Sequence, residues 1–535
     1  AGSIARQRGA VKARGQQNAD VGDKANDAVR VDAEDVQAKV IGEGANLGVT
    51  QAGRIAFARK QRDDNGGRIN TDAIDNSAGV DTSDHEVNIK ILLTGAIRNG
   101  ALKAEDRNAL LDSMRDEVSV LVLRDNYDQT RALSFAQAAG VRDLDAHERF
   151  ITTLEREGRL NRKVEGLPGA DEMTARRDRG EALTRPELSV LLAYSKLNNA
   201  RLLQSSDVPD DPHFWPALKA YFPKACASFE QAMREHRLRR EIITMSLGNG
   251  LIDLGGPVLI QRASEESGAG YEDVVRALEA VRKIFRLDEF MDSVEAIDGP
   301  KTAAVQISLQ GEAVRVLSRA GAWLAGRLHA GLAERPIGPL IQKYQPGVDA
   351  FASMVSISSS NALQADIKRR ADEFVLSGAP QALAVRAAGL RPLSNALDVL
   401  ELAKARGWGA PETARMVFAV GEAFGFAEMR AGADSAKADQ HWDRLALRKL
   451  REELFAMQLD FAGAAMRDAD THGASAASQV ADPAAAIAIV EQWRAGRGAR
   501  AKLVNAALDD IRGSGAWTLG KLTLAAAQLR TLTAA

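Results

Sequence analysis

A single cysteine, Cys226, stands among the 535 residues of this chain. That count excludes a disulfide framework and a cysteine-based metal centre. Cys226 lies between Ala225 and Ala227, where a small buried hydrophobe is the expected role. Aromatics are scarce at 5%, so packing must rest on Ala, Leu, Val and Ile. Neither sign of charge dominates: 70 Lys and Arg face 72 Asp and Glu, for a formal charge of -2. Nucleic-acid or membrane-surface binding favours a strong basic excess, so neither partner is expected. No uninterrupted apolar run approaches the ~20 residues that span a bilayer. Arg6, Arg8, Lys12 and Arg14 precede no apolar stretch, so no secretory signal is read and a cytoplasmic location is expected. The chain opens on Ala1 rather than methionine, which fits a fragment or a processed product.

What is present is ordinary for a globular protein: 45% hydrophobic and 27% charged residues. The length corresponds to roughly three to four domains' worth of material. Two textures divide it. Up to about Asp81 the sequence is rich in Gly, Asn and Asp, with β-like runs at Lys39-Val40-Ile41 and Arg68-Ile69-Asn70-Thr71. From Ser83 onward it reads as amphipathic helices separated by Gly and Pro. Val87, Ile89 and Ile91 alternate with polar residues, so a strand competes for the first of these. Helix is favoured by a capping box, Ser83-Asp84-His85-Glu86, and by apolar positions continuing through Ile89, Leu92, Leu93, Ala96 and Ile97 to Gly100. Leu110, Leu111, Met114, Val118, Leu121 and Val122 form another stripe. Thr184-Arg185-Pro186-Glu187 is a second capping box, opening a helix with Leu188, Leu191, Leu192 and Ser195. Breaks are expected at Gly299-Pro300, Pro336 to Pro339 and Pro346-Gly347, and a mobile linker at 470–478. No fixed-period repeat is visible.

Two polar segments carry the chemistry. Gly42-Glu43-Gly44-Ala45-Asn46-Leu47-Gly48 follows a short strand, as a loop does where backbone must approach a ligand closely. Its spacing is G-x-G-x-x-x-G, one residue from the dinucleotide fingerprint, so a phosphate loop and a structural turn both stay open. Asn70 to Val80 is a turn-rich stretch. Its Asn side chains suit turns, but an Asn amide also matches the carboxamide of a nicotinamide ring, donor to acceptor. His85 reads as a packed helix histidine, with a titrating group as the alternative. His213 and His441 show no ligand spacing, and no metal is expected.

At these residues a family resemblance enters. Val40 to Leu93 closely resembles the large bacterial NAD-specific glutamate dehydrogenases, as do Asn126-Tyr127-Asp128-Gln129, Leu183 to Leu188, and His236 to Ile243. The matches run from Asp20 to about Asp253, and the remainder looks like that family's helical C-terminal domain. The resemblance implies a mainly α chain: the C-terminal end of a Rossmann-like α/β dehydrogenase domain over 1–125, then an all-helical C-terminal domain over 126–535. It implies NAD as coenzyme, oxidative deamination of L-glutamate to 2-oxoglutarate and ammonium, and a homo-oligomer. Gly44, Ala45 and Asn46 take the place of a loop beside the coenzyme. Asn76, in Asn76-Ser77-Ala78-Gly79-Val80, takes that of the Asn near the nicotinamide carboxamide, with Ala78 where the family pattern has glycine. Ser83 takes the place that faces the substrate's distal carboxylate. Its alternative role is a helix cap worth about 1 kcal/mol. The family's catalytic lysine and aspartate, Gly-rich lysine motif and phosphate fingerprint lie upstream in such enzymes, and none is found here. Gly2 to Gly9 also departs from the family's apolar Gly-rich run. No catalytic residue is therefore named, and the chain is expected to be a C-terminal part that is inactive alone. The alternative is a non-catalytic helical scaffold or regulatory module that retains the end of a dehydrogenase domain.

Overall fold

A computed structural model of the chain describes residues 8–44, 48–60, 66–297, 299, 302–357, 361–438, 441–471 and 480–532. The chain is mainly α, with 77% helix and 1% strand. It forms two compact units, one from residues 1–281 with 321–340, the other from 282–320 with 341–535. Among the described residues no single helix is long and apolar enough to cross a membrane.

The first unit opens on a small parallel patch. Strand β1 (Val11–Lys12) pairs in parallel with β2 (Val31–Asp32), with Val11 opposite Val31. On its other side Val11 bridges Val49, again in parallel. The two β-like runs read from the sequence meet as a single parallel bridge, Val40 to Arg68. Helix α1 (Gln51–Arg59) is capped by Thr50, whose Oγ1 accepts from the Gly53 N–H at 3.0 Å. Gly53 must lack a side chain, because a Cβ there would come within 2.8 Å of the Val11 carbonyl. Phe57 of α1 closes a small core with Ala33, Val49 and Ile69.

Helices then take over: α2 (Asp72–Asp75), α3 (Ser77–Arg98), α4 (Arg115–Ala139), α5 (Arg185–Gln204), α6 (Trp215–Tyr221) and α7 (Arg239–Gly255). Helix α3 packs on α4, and α4, α5 and α7 pack on one another. In α3 the helical spacing prevails over the strand-like alternation: Ile89, Leu92, Leu93 and Ala96 are buried while Val87 is 52% exposed. The helix ends ahead of Gly100, which takes a left-handed φ of 73°. Its start differs from the expected Ser83 cap, lying six residues earlier at Ser77. The cause is tertiary: Ser77 Oγ donates to Asn126 Oδ1 at 2.6 Å and accepts from Gln129 Nε2 at 3.3 Å, both on α4. The second capping box forms as read. The Thr184 N–H donates to Glu187 at 2.6 Å, and Leu188, Leu191, Leu192 and Ser195 are buried behind it. Cys226 is fully buried, and burial pushes its thiol up to about 12.

The second unit is helical throughout its described residues. Four of its aromatics, Phe424, Phe426, Phe461 and Trp493, are buried in one cluster, with ring centres of Phe424 and Phe461 5.1 Å apart. The break expected at Pro346-Gly347 is absent, since helix Ile337–Ile357 runs through Pro346. Gly347 packs so tightly on Leu400 that a Cβ would lie 2.6 Å from its Cδ2. Of the expected linker, Asp470 and Thr471 end helix His441–Thr471, with Asp470 accepting from Trp408 Nε1 at 3.1 Å. Residues 472–478 lie outside the described residues.

Candidate functional site

Glu43, between the two glycines of the loop, points inward. It is 3% exposed, and Arg54 of α1, fully buried, donates to it from Nε at 2.6 Å and from Nη2 at 2.7 Å. The Val49 N–H adds a third bond at 3.1 Å, and Arg54 Nη1 reaches Gln51 at 3.2 Å. A buried ion pair persists only when its remaining donors and acceptors are met in this way. From Glu43 the bonding continues outward. Its N–H donates to Asp75 Oδ2 at 3.1 Å, and Asn70 Nδ2 donates to Asp75 Oδ1 at 2.6 Å. Arg185 Nε then donates to Asn70 Oδ1 at 2.6 Å, while its other nitrogens reach Ser134 Oγ and the Thr130 carbonyl at 3.0 Å. Burial, with Arg68 nearby, lowers the Arg185 guanidinium to about 10. This network anchors the glycine loop to the Asn70–Asp75 segment and to the start of α5.

The Glu43–Asp75 bond brings the two segments singled out in the sequence together, since Gly44 and Asn76 are each one residue beyond it. Gly44 is exposed, and a Cβ built on it meets nothing within 4 Å. Ala45 and Asn46 lie outside the described residues. Asn76 joins α2 to α3 with φ -104° and ψ 19°. Its N–H donates to the Asp72 carbonyl at 2.8 Å, and its exposed carboxamide makes no hydrogen bond to a described residue. Ser83 is exposed on the second turn of α3, where Oγ donates to the Gly79 carbonyl at 3.2 Å. It is not a cap.

The other face of α3 is acidic and enclosed. Asp81 and His85, one turn apart, meet Asp125 of α4. Burial raises both carboxyls, Asp125 to about 6 with repulsion from Asp81 added, and burial lowers His85. The His85 ring stacks on Tyr221 of α6 with centroids 4.3 Å apart. His85 is thus the packed histidine expected, yet its acidic neighbours were not foreseen. Helical spacing of Asp81 and His85 was a readable signal; the contribution of Asp125 was not. Glu43 was missed likewise, because its partner comes from a different element. A shallow groove of about 400 Å³ further along α3, lined by Val87, Ile91, Gly95, Ala232 and His236, includes none of the residues singled out in the sequence.

Comparison with known proteins places these elements in a family. Residues 180–531 match the model described as glutamate dehydrogenase, C-terminal, and residues 8–136 the bacterial NAD-glutamate dehydrogenase catalytic domain. The chain belongs to the bacterial NAD-glutamate dehydrogenase family. Among its relatives in that family is the NAD-specific glutamate dehydrogenase of Mycobacterium tuberculosis, 36% identical over 98% of this chain and 31% of the relative. That of Pseudomonas aeruginosa is 37% identical over 83% of this chain and 27% of its own length. The Halomonas elongata enzyme is 37% identical over 77% and 25%. The chain therefore spans about a quarter to a third of the length of the curated relatives it matches. Glu43, Asn76, Ser83 and the Asp81–His85–Asp125 group all lie within the catalytic-domain match.

Proposed function

We propose that the chain serves an NAD-dependent glutamate dehydrogenase, in which it supplies the nicotinamide side of the coenzyme site. The reaction is oxidative deamination of L-glutamate to 2-oxoglutarate and ammonium, in a cytoplasmic homo-oligomer. In this reading residues 1–125 are the C-terminal end of a Rossmann-like dehydrogenase domain, and 126–535 its helical C-terminal part. The parallel pairing of Val11 with Val31 and Val49 supports the Rossmann-like assignment, since such domains are built on parallel sheets. The names of the three relatives support the coenzyme and substrate.

The observation that carries the reading is the Glu43–Asp75 bond, which ties the segment holding Gly44 to the one holding Asn76. Both positions fit a coenzyme: open space surrounds the Gly44 α-carbon, and the Asn76 amide has donor and acceptor unspent. Asn76 would pair with the nicotinamide carboxamide and so fix which ring face meets the substrate. Gly44, Ala45 and Asn46 would line the same site. NAD, when bound, accepts the hydride from the glutamate α-carbon. Ser83, exposed and bonded among the described residues to the Gly79 carbonyl, can turn its hydroxyl toward the distal carboxylate of glutamate. The acid/base lysine and aspartate would come from a part of the enzyme that this chain does not span.

Two measurements test this. Titration of NADH fluorescence with the purified chain should report binding that Asn76→Ala weakens. Glutamate-dependent NADH formation should be absent from the chain alone and appear in a protein that also carries the lysine and phosphate-loop motifs. Turnover by the chain alone would sink the division of labour, and a helical scaffold that binds no NADH would sink the coenzyme site.

A further inference from the structure

We propose that Asp81, His85 and Asp125 form a divalent-cation site that ties α3 to α4. Asp81 and His85 are four residues apart on one helix, so both side chains rise from the same face. Asp125 meets them from α4, and the three can each offer one ligand atom within 4.8 Å of the others. His85 Nε2 lies 4.0 Å from Asp81 Oδ1. That is too long for a hydrogen bond, and it is within the ~4.2 Å that two bonds of about 2.1 Å to one shared ion can span.

A second observation points to a ligand. His85 is 2% exposed, and its Nε2, the ring nitrogen turned toward Asp81, makes no hydrogen bond to a described residue. Asp81 Oδ2 is buried and unpartnered as well. Native interiors rarely leave such atoms unmet, and a bound ion is one of the few explanations. The ring is already held: it stacks on Tyr221, whose hydroxyl accepts from Asn88 Nδ2 at 2.8 Å. Charge argues the same way. Asp84 adds to the negative field, and Lys196, the cation acting on both Asp81 and Asp125, is bonded to Asp253 at 2.9 Å. Two part-buried carboxyls therefore face each other with His85, 4.0 Å from Asp81, as the nearest ion-pair partner, a gap that a cation or a shared proton must fill.

Two carboxylates and one imidazole suit a divalent transition ion such as Zn²⁺ or Mn²⁺; Ca²⁺ demands six or more oxygens. Three protein ligands leave a position for water. The site does not rest on the coenzyme reading, because neither Asn76 nor Ser83 contributes to it.

The test uses the whole chain, stripped with a chelator and then titrated with Zn²⁺ and with Mn²⁺ by calorimetry, with melting followed in parallel. The expected result is one equivalent of bound ion and a higher melting temperature for the loaded protein. Asp125→Asn, which keeps the side-chain shape, should weaken binding at least about tenfold, and His85→Gln should do the same. Circular dichroism checks that each variant folds, and Asp81→Asn replaces any that does not. The proposal falls if neither ion binds, or if Asp125→Asn binds as the native chain does. It also falls if Asp125→Asn raises the melting temperature while neither ion moves that of the native chain, the mark of a shared proton.

Discussion

Glu43 and Arg54 are buried together, and either alone would leave an uncompensated charge in a dry interior. Arg54→Ala should cost about 3–5 kcal/mol, read as a shift in the denaturant midpoint, because Glu43 then keeps only its backbone donor. A loss below about 1 kcal/mol would mean that water reaches the pair. His147 presents the converse case. It is 2% exposed, neither ring nitrogen has a hydrogen-bond partner, and burial lowers its pKa to about 4. A histidine whose folded pKa is depressed contributes stability above its unfolded pKa of 6.5, and that stability is lost as pH falls towards 4. The first unit should therefore weaken by up to about 3 kcal/mol across that window. His147→Leu should remove this part of the acid sensitivity, seen as a flatter melting temperature between pH 6.5 and 4.

At the scale of the element, the two serine- and threonine-led boxes separate cleanly. Thr184 begins α5 and shares its network with Glu187, which Arg176 also holds at 2.8 and 2.9 Å. Thr184→Ala should cost about 1 kcal/mol. Ser83→Ala should leave the melting temperature unchanged, because Ser83 sits inside α3, while raising KM for glutamate if its hydroxyl meets the substrate. A stability loss at Ser83 without a change in KM would reverse that assignment. The contrast also shows what the sequence could carry. The apolar face of α3, its end before Gly100 and the whole opening of α5 were legible because their determinants lie within a few residues of one another. The start of α3 was not, since Asn126 and Gln129 fix it from about 50 residues away. The Arg54 partner of Glu43 and the packing of Gly347 on Leu400 are likewise set by folding, and only half of each pair is visible locally. At the site, the resemblance pointed to Gly44 and Asn76, and the bond that brings their segments together depends on Asp75, to which the resemblance gave no role.

For the whole molecule, two compact helical units match a family whose curated members are about three times longer, on the shares covered. The first unit holds the short parallel strands, the buried Glu43–Arg54 pair and both segments proposed to face the coenzyme. The central claim is that this unit presents Asn76 to the nicotinamide ring. It is tested most directly by glutamate-dependent NADH formation in the active enzyme that carries this chain, comparing Asn76→Ala with the native sequence. Loss of one oriented amide contact of about 1.4–2.8 kcal/mol predicts kcat/KM for NAD roughly ten- to a hundredfold lower, with the melting temperature unchanged. Unchanged kcat/KM would contradict the account and remove Asn76 from the site.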